Sequence, residues 1–343
     1  MPASPIKYQD RNLRLFKCAR DPDLDSRTIL VEDQWDYVNM WLKRNNKPQA
    51  LFFWKQAEEF ARASRDLPNT SSPLPKYYAA LNAAKALLHS KNLPFSPYHG
   101  VTGNSIPGPV NLANEQVRLK TKGVASELCR YMGEPVNITV YNLENIFYNL
   151  PFIHRAYTVT FPVVDELFLP ISEPAFVRID NSSDAFFRCK VFDNPYQNAV
   201  ILGRVAGYER DNGFADSFIR KKKRFKWDAA QPDAANVPGF KTYYRRVRQH
   251  TFYIKGITRL WYIKMTSGSP AWIERSPMTL TFMALHRISE LARYTPDVLA
   301  QHLDSQHNWL LSEFINLSLP QFLDEISAEM TGHEFMPPGV SPR

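Results

Sequence analysis

The sequence predicts an α+β protein in which a helical core is interrupted by a β-rich insert. Apolar residues recur at helical spacing in 35–90 and again in 278–330, as in helices with one buried face. From about Val136 the chain changes to short segments of β-branched and aromatic residues bounded by Pro, Asn and Asp, which is typical of strands and turns. Because helical sequence returns after the strands, we expect the first and last segments to pack around one core.

The helices of the first part are predicted from their apolar periodicity over 35–43, 50–65, 76–90 and 123–132. The clearest is the third, where Pro75 suits a first turn and the apolar stripe consists of Tyr77, Leu81, Ala84 and Leu88. In the second part, helices are predicted over 278–293, 308–317 and 320–330, with Pro296 and Pro320 as their boundaries.

The insert is predicted to contain short strands, followed by a long pair around Gly256. The predicted strands are 137–141, 156–161, 175–179, 186–192, 199–205, 242–255 and 257–265. The polar, Pro-containing stretch 228–239 is predicted to be an exposed loop.

These elements predict five segments along the chain. They are a loose N-terminal arm (1–30), the first part of the helical core (31–135), a β-rich basic insert (136–270), the second part of the core (271–333) and a frayed tail (334–343). The predicted core is therefore discontinuous in sequence, and the insert is predicted to fold separately from it.

Composition predicts a globular protein of a reducing cytoplasm. The chain has 44% hydrophobic residues and three widely separated cysteines, Cys18, Cys129 and Cys189, which fit neither a disulfide framework nor a zinc site. No stretch has the apolar character of a signal peptide or of a membrane helix. We therefore expect no membrane association.

The most informative feature is a basic, aromatic segment, 220–264. It holds 13 Lys and Arg residues against Asp228 and Asp233, a net charge of +11 in a chain whose total is +8. Nine aromatic residues interleave these cations, as in single-strand binders that pair phosphate contacts with base stacking. The segment predicts binding to RNA or DNA through Lys221, Lys222, Lys223, Arg224, Lys226, Trp227, Arg245, Arg246, Arg248, Lys255 and Arg259. Two alternatives are an acidic protein partner and a solvated face whose aromatics are core.

No established catalytic motif occurs in the sequence. There is no phosphate-binding loop, nucleophile elbow, HExxH or dinucleotide fingerprint, so we expect no cofactor and no metal. The pair Arg245 and His250 is predicted to lie on opposite faces of a strand, which argues against direct cooperation. His302 and His307 do not share a helix face and do not suggest a metal site.

Two regions carry a family resemblance. The first is YYAALNAAKALL (77–88), followed by His99-Gly100-Val101 and Lys122-Gly123-Val124; the second is LHRISELARYTPDVL (285–299) with the apolar pattern after it. Both resemble the YaaC-like family of uncharacterised bacterial proteins, over roughly 35–135 and 275–330. More distantly, the first region is similar to the second and third helices of HEPN (higher eukaryotes and prokaryotes nucleotide-binding) proteins.

The HEPN resemblance implies a helical bundle, often dimeric, and in active members a metal-free ribonuclease with an Arg-x4–6-His motif near the last helices. Here Arg287 and Arg293 lie on the expected helix, but no histidine follows at that spacing. His302 comes nine residues after Arg293 and beyond Pro296. The resemblance therefore implies a member without this catalysis, or one that uses other residues. We expect Arg287 and Arg293 to be structural or to contact a phosphate or a carboxylate.

Weaker catalytic candidates are His99, His250 and Arg293. His99 is the most interesting of these because the resemblance places it at the start of the third helix, although a structural cap or a buried hydrogen bond would explain it equally.

Three hypotheses of function follow. The first is a nucleic-acid-binding HEPN-like protein without catalysis, in a bacterial phage-defence or stress system. The second is a metal-independent ribonuclease with an Arg/His site assembled across a homodimer. The third is an adaptor that docks an acidic protein encoded nearby. The resemblance alone suggests defence, since a fold does not determine a function.

Overall fold

The computed structural model describes residues 2–31, 33–192, 197, 199–215, 217–256 and 260–337. The chain forms two compact units. The sheet unit consists of Met1–Ile29, Glu166–Gly268 and Gly332–Glu334, and the helical unit of Leu30–Asp165, Ser269–Thr331 and Phe335–Arg343. The insert therefore begins at Glu166, about thirty residues later than the change of period near Val136 predicts.

The helical unit consists mainly of helices, together with one small antiparallel sheet. Its helices are α1 (Gln34–Arg44), α2 (Pro48–Ala63), α3 (Pro73–Ser90), α4 (Val124–Met132), α5 (Leu143–Tyr148), α6 (His154–Thr160), α9 (Pro277–Tyr294), α10 (Pro296–Asp304) and α11 (Asn308–Thr331). The sheet joins β5 (Val101–Ser105), β6 (Glu115–Leu119) and β7 (Thr139–Asn142). Short 3₁₀ turns occupy Leu112–Asn114 and Pro151–Ile153.

Helix α3 is the centre of this unit. All five of its alanines are buried, and their small side chains let α2, α9 and α11 pack closely around it. Tyr77 of α3 contacts Phe282 of α9, with ring centroids 5.6 Å apart. The predicted packing of 77–88 against 278–293 is therefore confirmed, across about 200 intervening residues.

One helix, α11, replaces the two that Pro320 predicts. Proline removes one backbone hydrogen bond from a helix interior. In the turn before Pro320, the carbonyl of Ile315 accepts a hydrogen bond from Lys76 Nζ at 2.7 Å. Phe314 and Phe322, buried on either side of the proline, hold both halves against the same core.

The sheet unit is built on an antiparallel sheet in the order β10-β11-β9-β8-β14-β13. Strand β1 also pairs with β8, and β12 with β9. The elements are β1 (Ala3–Pro5), β2 (Lys7–Tyr8), β3 (Arg11–Asn12), β8 (Phe168–Ile179), β9 (Asp184–Val191), α7 (Ala199–Gly203), β10 (Tyr208–Arg210), β11 (Phe218–Lys221), β12 (Phe225–Lys226), α8 (Asp233–Arg248), β13 (Thr251–Ile254) and β14 (Leu260–Lys264). Strands β4 (Thr28–Leu30) and β15 (Glu334–Met336) lie where the chain passes between the units.

Helix α8 corrects the prediction of a loop over 228–239 and a strand over 242–255. The helix starts at Asp233, and only Thr251–Ile254 is a strand. Its buried residues Phe240, Tyr243, Tyr244 and Val247 follow the i, i+3, i+4, i+7 spacing of a helix face. Aromatic residues favour strands on average, but here this periodicity and packing against the sheet decide the conformation.

Two other predicted strands are helices. Residues 156–161 lie mostly in α6, and 199–205 include α7. Both segments are short and apolar, and periodicity cannot separate a buried helix from a buried strand at that length. Of the predicted strand 257–265, residues 257–259 are outside the described residues, and β14 begins at Leu260.

The amino-terminal residues are packed rather than loose. Ile6, Leu13, Leu15 and Phe16 are buried in the core of the sheet unit, and the Tyr244 hydroxyl contacts the backbone of Phe16 and Cys18. The predicted tail differs too, because Glu334–Met336 is a buried strand; residues 338–343 are outside the described residues. No helix in the described part of the chain is long and apolar enough to cross a membrane.

Candidate functional site

Positive charge is concentrated in the sheet unit. The residues of that unit carry a net charge of +9, whereas those of the helical unit carry −1. The basic segment therefore belongs to a unit whose charge exceeds the +8 of the whole chain.

The aromatic residues of the basic segment form core, which corrects the expectation that they stack on bases. Eight of the nine are buried, and Tyr262 is half-buried. Trp227 is 4% exposed and packs edge-on against Phe240, with ring centroids 6.3 Å apart. Trp227 is therefore unavailable to a nucleic acid at the surface.

Several of the predicted cations also have structural roles. Buried Arg248 donates to the carbonyls of Lys17 and Thr251, which removes it from the predicted contact surface. Arg245 donates from Nε to the carbonyl of Arg20 at 2.6 Å. Half-buried Lys221 lies 4.9 Å from the centre of the Tyr208 ring.

The other cations lie at the surface. Lys222 and Lys223 occupy the turn between β11 and β12, and Arg246 lies on the last turn of α8; all three are exposed. Lys221 Nζ approaches the Arg246 carbonyl at 3.5 Å, which brings this turn and the end of α8 together. Lys255 is also exposed, whereas Arg259 is outside the described residues.

Beside these residues, Arg224 and Lys226 share the Asp184 carboxylate at 3.1 and 2.7 Å. We call the set Lys221, Lys222, Lys223, Arg224, Lys226 and Arg246 the basic surface. Within the described part of the chain, Lys222, Lys223 and Arg246 form no ion pair with a carboxylate.

A second group of polar side chains lies inside the helical unit, and we call it the polar cluster. The Tyr77 hydroxyl is 2.7 Å from His99 Nδ1. The ring centroids of His99 and His286 are 5.6 Å apart. His286 Nδ1 lies 3.7 Å from Glu290 Oε2, the oxygen that Arg287 Nη1 approaches at 3.3 Å. Half-buried His99 forms the outer edge of this group.

Arg287 connects this edge to a buried ion pair. Its Nη2 is 2.5 Å from Glu115 Oε2, and the other oxygen of Glu115 is 3.2 Å from His302 Nε2. Arg287 thus contacts a carboxylate, which is one of the roles expected for it from the sequence. His302 lies on α10, beyond Pro296, and nevertheless contacts the same carboxylate as Arg287.

Three glycines shape the polar cluster. A Cβ on Gly123 would lie 2.5 Å from the Gly100 nitrogen, and both residues have positive φ, +122° and +80°. The His99-Gly100-Val101 and Lys122-Gly123-Val124 segments are therefore in direct contact and place His99 at the start of α4, where Ala125 N donates to its carbonyl. A Cβ on Gly103 would overlap Glu290 and Arg287.

Burial dominates the electrostatics of the polar cluster. It lowers the pKa of His286 to about 3, helped by His99 and Arg287, and it also lowers the pKa of His99. Burial raises the pKa of Glu115, but hydrogen bonds from His302 and Arg287 outweigh this and leave the pKa below its ordinary value. The cluster therefore combines neutral His99 and His286 with an ionised Glu115–Arg287 pair near neutral pH.

The three weak catalytic candidates belong to different elements of the chain. His99 belongs to the polar cluster, whereas Arg293 is exposed beside the ring of Tyr294, and His250 follows α8 in the sheet unit. Glu115 and His286 were not predicted as site residues, because no motif marks them. The only part of the polar cluster that the sequence could have indicated is the ion pair of Arg287 and Glu290, because residues three apart are neighbours on a helix. Among the described residues, no group of three His, Cys, Asp or Glu could hold a metal ion.

These observations define an α+β protein with a basic sheet unit and a helical unit that encloses a polar cluster. The chain belongs to the YaaC-like protein family, whose model matches residues 24–330. That match includes residues of both units and the segments that form the polar cluster. No curated protein and no solved structure matches the chain significantly.

Proposed function

We propose that this protein binds nucleic acid through the basic surface of its sheet unit. The observation that carries the proposal is the exposure of Lys222, Lys223 and Arg246 on a unit of net charge +9, without a carboxylate partner in the described residues. Exposed cations grouped in this way attract a polyanion and release its counterions on binding.

The contacts are to phosphates rather than to bases. The aromatic side chains that would stack on bases are buried, so the surface offers charge and hydrogen-bond donors. Phosphate contacts position a strand but do not read its sequence. We therefore expect weak sequence preference and a strong dependence on salt, with either RNA or DNA as the ligand.

The proposal includes a helical unit related to HEPN proteins but without their ribonuclease activity. The packing of α3 against α9 supports the relationship. Against catalysis, Arg287 is paired with Glu115. His286 is buried and its pKa is lowered to about 3, far from the near-neutral value that suits proton transfer on a phosphodiester. A role in bacterial phage defence or stress belongs to this proposal through the family resemblance, and a cytoplasmic location belongs to it through composition.

The test replaces Lys222, Lys223 and Arg246 with Glu. The matched control replaces Lys43, Arg44 and Lys55, three exposed cations of α1 and α2 in the helical unit, with the same change in total charge. Binding of labelled single-stranded RNA and duplex DNA is measured by fluorescence anisotropy from 50 to 300 mM salt.

We expect loss of three duplex phosphate contacts to reduce the log–log salt slope by about 2.7, from about 0.9 per contact. Affinity near 0.1 M salt should fall by roughly two to three orders of magnitude, whereas the control should retain most of it.

Equal losses in both variants would contradict a local surface. No binding by the parent protein at 50 mM salt would refute the proposal and favour an acidic protein partner. The RNA should also remain intact after incubation; metal-independent cleavage that His99→Ala abolishes would favour the ribonuclease hypothesis.

A further inference from the structure

An open cleft lies in the helical unit, at the start of α2 and the end of α3. Its volume is about 700 Å³, within the range of small-molecule sites. It is lined by the α1–α2 connection, by the last turns of α3 and by the loop 92–97 that follows. All these residues lie in a single unit.

The walls of the cleft are positive. Lys47, Lys85 and His89 line it, and none of the described residues that line it is Asp or Glu. Lys47 Nζ donates to Asn92 Oδ1 at 3.1 Å. Lys85 is half-buried and has no carboxylate partner in the described part of the chain. An unpaired cation that has lost part of its hydration is stabilised by a bound anion.

The same cleft has an aromatic wall. Phe53 of α2 stacks on His89 of α3 with ring centroids 5.2 Å apart and planes inclined by 8°. Phe95 contacts His89 edge-on at 4.9 Å. All three rings are half-buried, and Lys85 Nζ lies 5.3 Å from the centre of the Phe53 ring. Planar apolar surface and positive charge are thus combined within a few ångströms.

The first turn of α2 adds donors on the same side. Lys47 is its N-cap, no side chain caps the helix, and Pro48 at the first position has no amide hydrogen. Gln49 and Ala50 line the cleft, so their amides lie at its margin without a side-chain acceptor. Such amides favour negative charge. The case for an anion in this cleft rests on Lys47, Lys85 and the three aromatic rings, and the amides at this helix end add to it.

We propose that the cleft binds an aromatic phosphate of about mononucleotide size. The ring lies against the wall of Phe53, His89 and Phe95, and the phosphate is held by Lys47 and Lys85. This site is separate in sequence and in unit from the basic surface, so the inference does not depend on the proposed nucleic-acid binding. Burial lowers the pKa of Lys85, and a bound phosphate would favour its charged form, so binding should weaken at high pH.

Isothermal titration calorimetry on the full chain tests the proposal with three probes: AMP, adenosine and inorganic phosphate. We expect AMP to bind at least tenfold more tightly than either of the others, because AMP alone has both a ring for the aromatic wall and a phosphate for the two lysines. The variants are Lys85→Met and Phe53→Leu, and the matched control is Lys55→Met, which removes an exposed lysine of α2 that does not line the cleft.

The expected result is at least a tenfold loss of AMP affinity in Lys85→Met and Phe53→Leu, and unchanged affinity in the control. Equal affinities for AMP and inorganic phosphate would overturn the proposal, as would unchanged AMP binding by Lys85→Met or no AMP binding at 1 mM. Replacing Lys222 and Lys223 with Glu should leave AMP binding unchanged; its loss in that variant alone would place the site elsewhere and also overturn the proposal.

Discussion

Replacement of Arg287 by Met should destabilise the helical unit strongly. The side chains of Arg287 and Glu115 are 8% and 4% exposed, and their closest charged atoms are 2.5 Å apart. Methionine keeps most of the apolar volume but leaves the Glu115 carboxylate buried without its cation. Breaking a buried ion pair from one side costs about 3–5 kcal/mol, a large part of the stability of an ordinary domain.

The loss of stability in Arg287→Met should depend on pH, and the direction of that dependence follows from the pKa of Glu115. In the parent protein the pKa of Glu115 is lowered, so its contribution to stability is present above the unfolded pKa and is lost as pH falls through the folded one. Without Arg287, burial is opposed only by the hydrogen bonds from His302 and Ser105, so the pKa of Glu115 in the folded variant should rise relative to the parent. The penalty in Arg287→Met should therefore be largest near pH 7 and should shrink towards pH 5.

Urea unfolding followed by far-UV circular dichroism measures the effect, since most of the helix belongs to the helical unit. Arg293→Met on the same helix is the control: its side chain is exposed, and it should change the free energy of unfolding by less than about 0.5 kcal/mol. The double variant Arg287→Met/Glu115→Gln removes both charges and should be more stable than Arg287→Met by at least about 1 kcal/mol. A loss below about 1 kcal/mol in Arg287→Met, independent of pH, would refute the ion-pair argument.

Three further predictions concern backbone and core, and each is measured as a change in the free energy of unfolding in urea. Gly123→Ala should destabilise by several kcal/mol, on the order of a severe core defect, because its Cβ would overlap the Gly100 backbone at positive φ. Gly239→Ala should instead stabilise by about 0.5–1 kcal/mol, since it is an exposed helical position of α8 where a Cβ meets only the Lys226 carbonyl at 3.9 Å. Tyr244→Phe should cost about 1–3 kcal/mol, because it removes the hydroxyl that bonds the buried backbone of the amino-terminal segment.

The long, amphipathic helices could be predicted from the sequence because their signal is local. Tyr77, Leu81 and Leu88 repeat at helical spacing, and Pro75 lies in the first turn of α3. The same periodicity existed in Phe240, Tyr243, Tyr244 and Val247, but the aromatic composition favoured a strand, and α8 was missed. Short apolar segments such as 156–161 carry too few residues for their period to be read.

The candidate sites were less predictable, since they depend on contacts between distant residues. The sequence located the excess of positive charge in 220–264 but not its exposure. Buried Arg248 bonds to Lys17, 231 positions away, and Trp227 is buried against Phe240 of α8. Lys222 and Lys223 remain at the surface.

The sequence by itself determined the α+β class, the principal helices and the place of the positive charge, because periodicity and composition are properties of neighbouring residues. Only the tertiary structure decided which cations face solvent and which side chains form the polar cluster. Glu115, Arg287 and His302 come together from β6, α9 and α10, separated by up to 187 positions. Burial and ion pairing depend on distance in space, and no local pattern encodes which remote residues will meet.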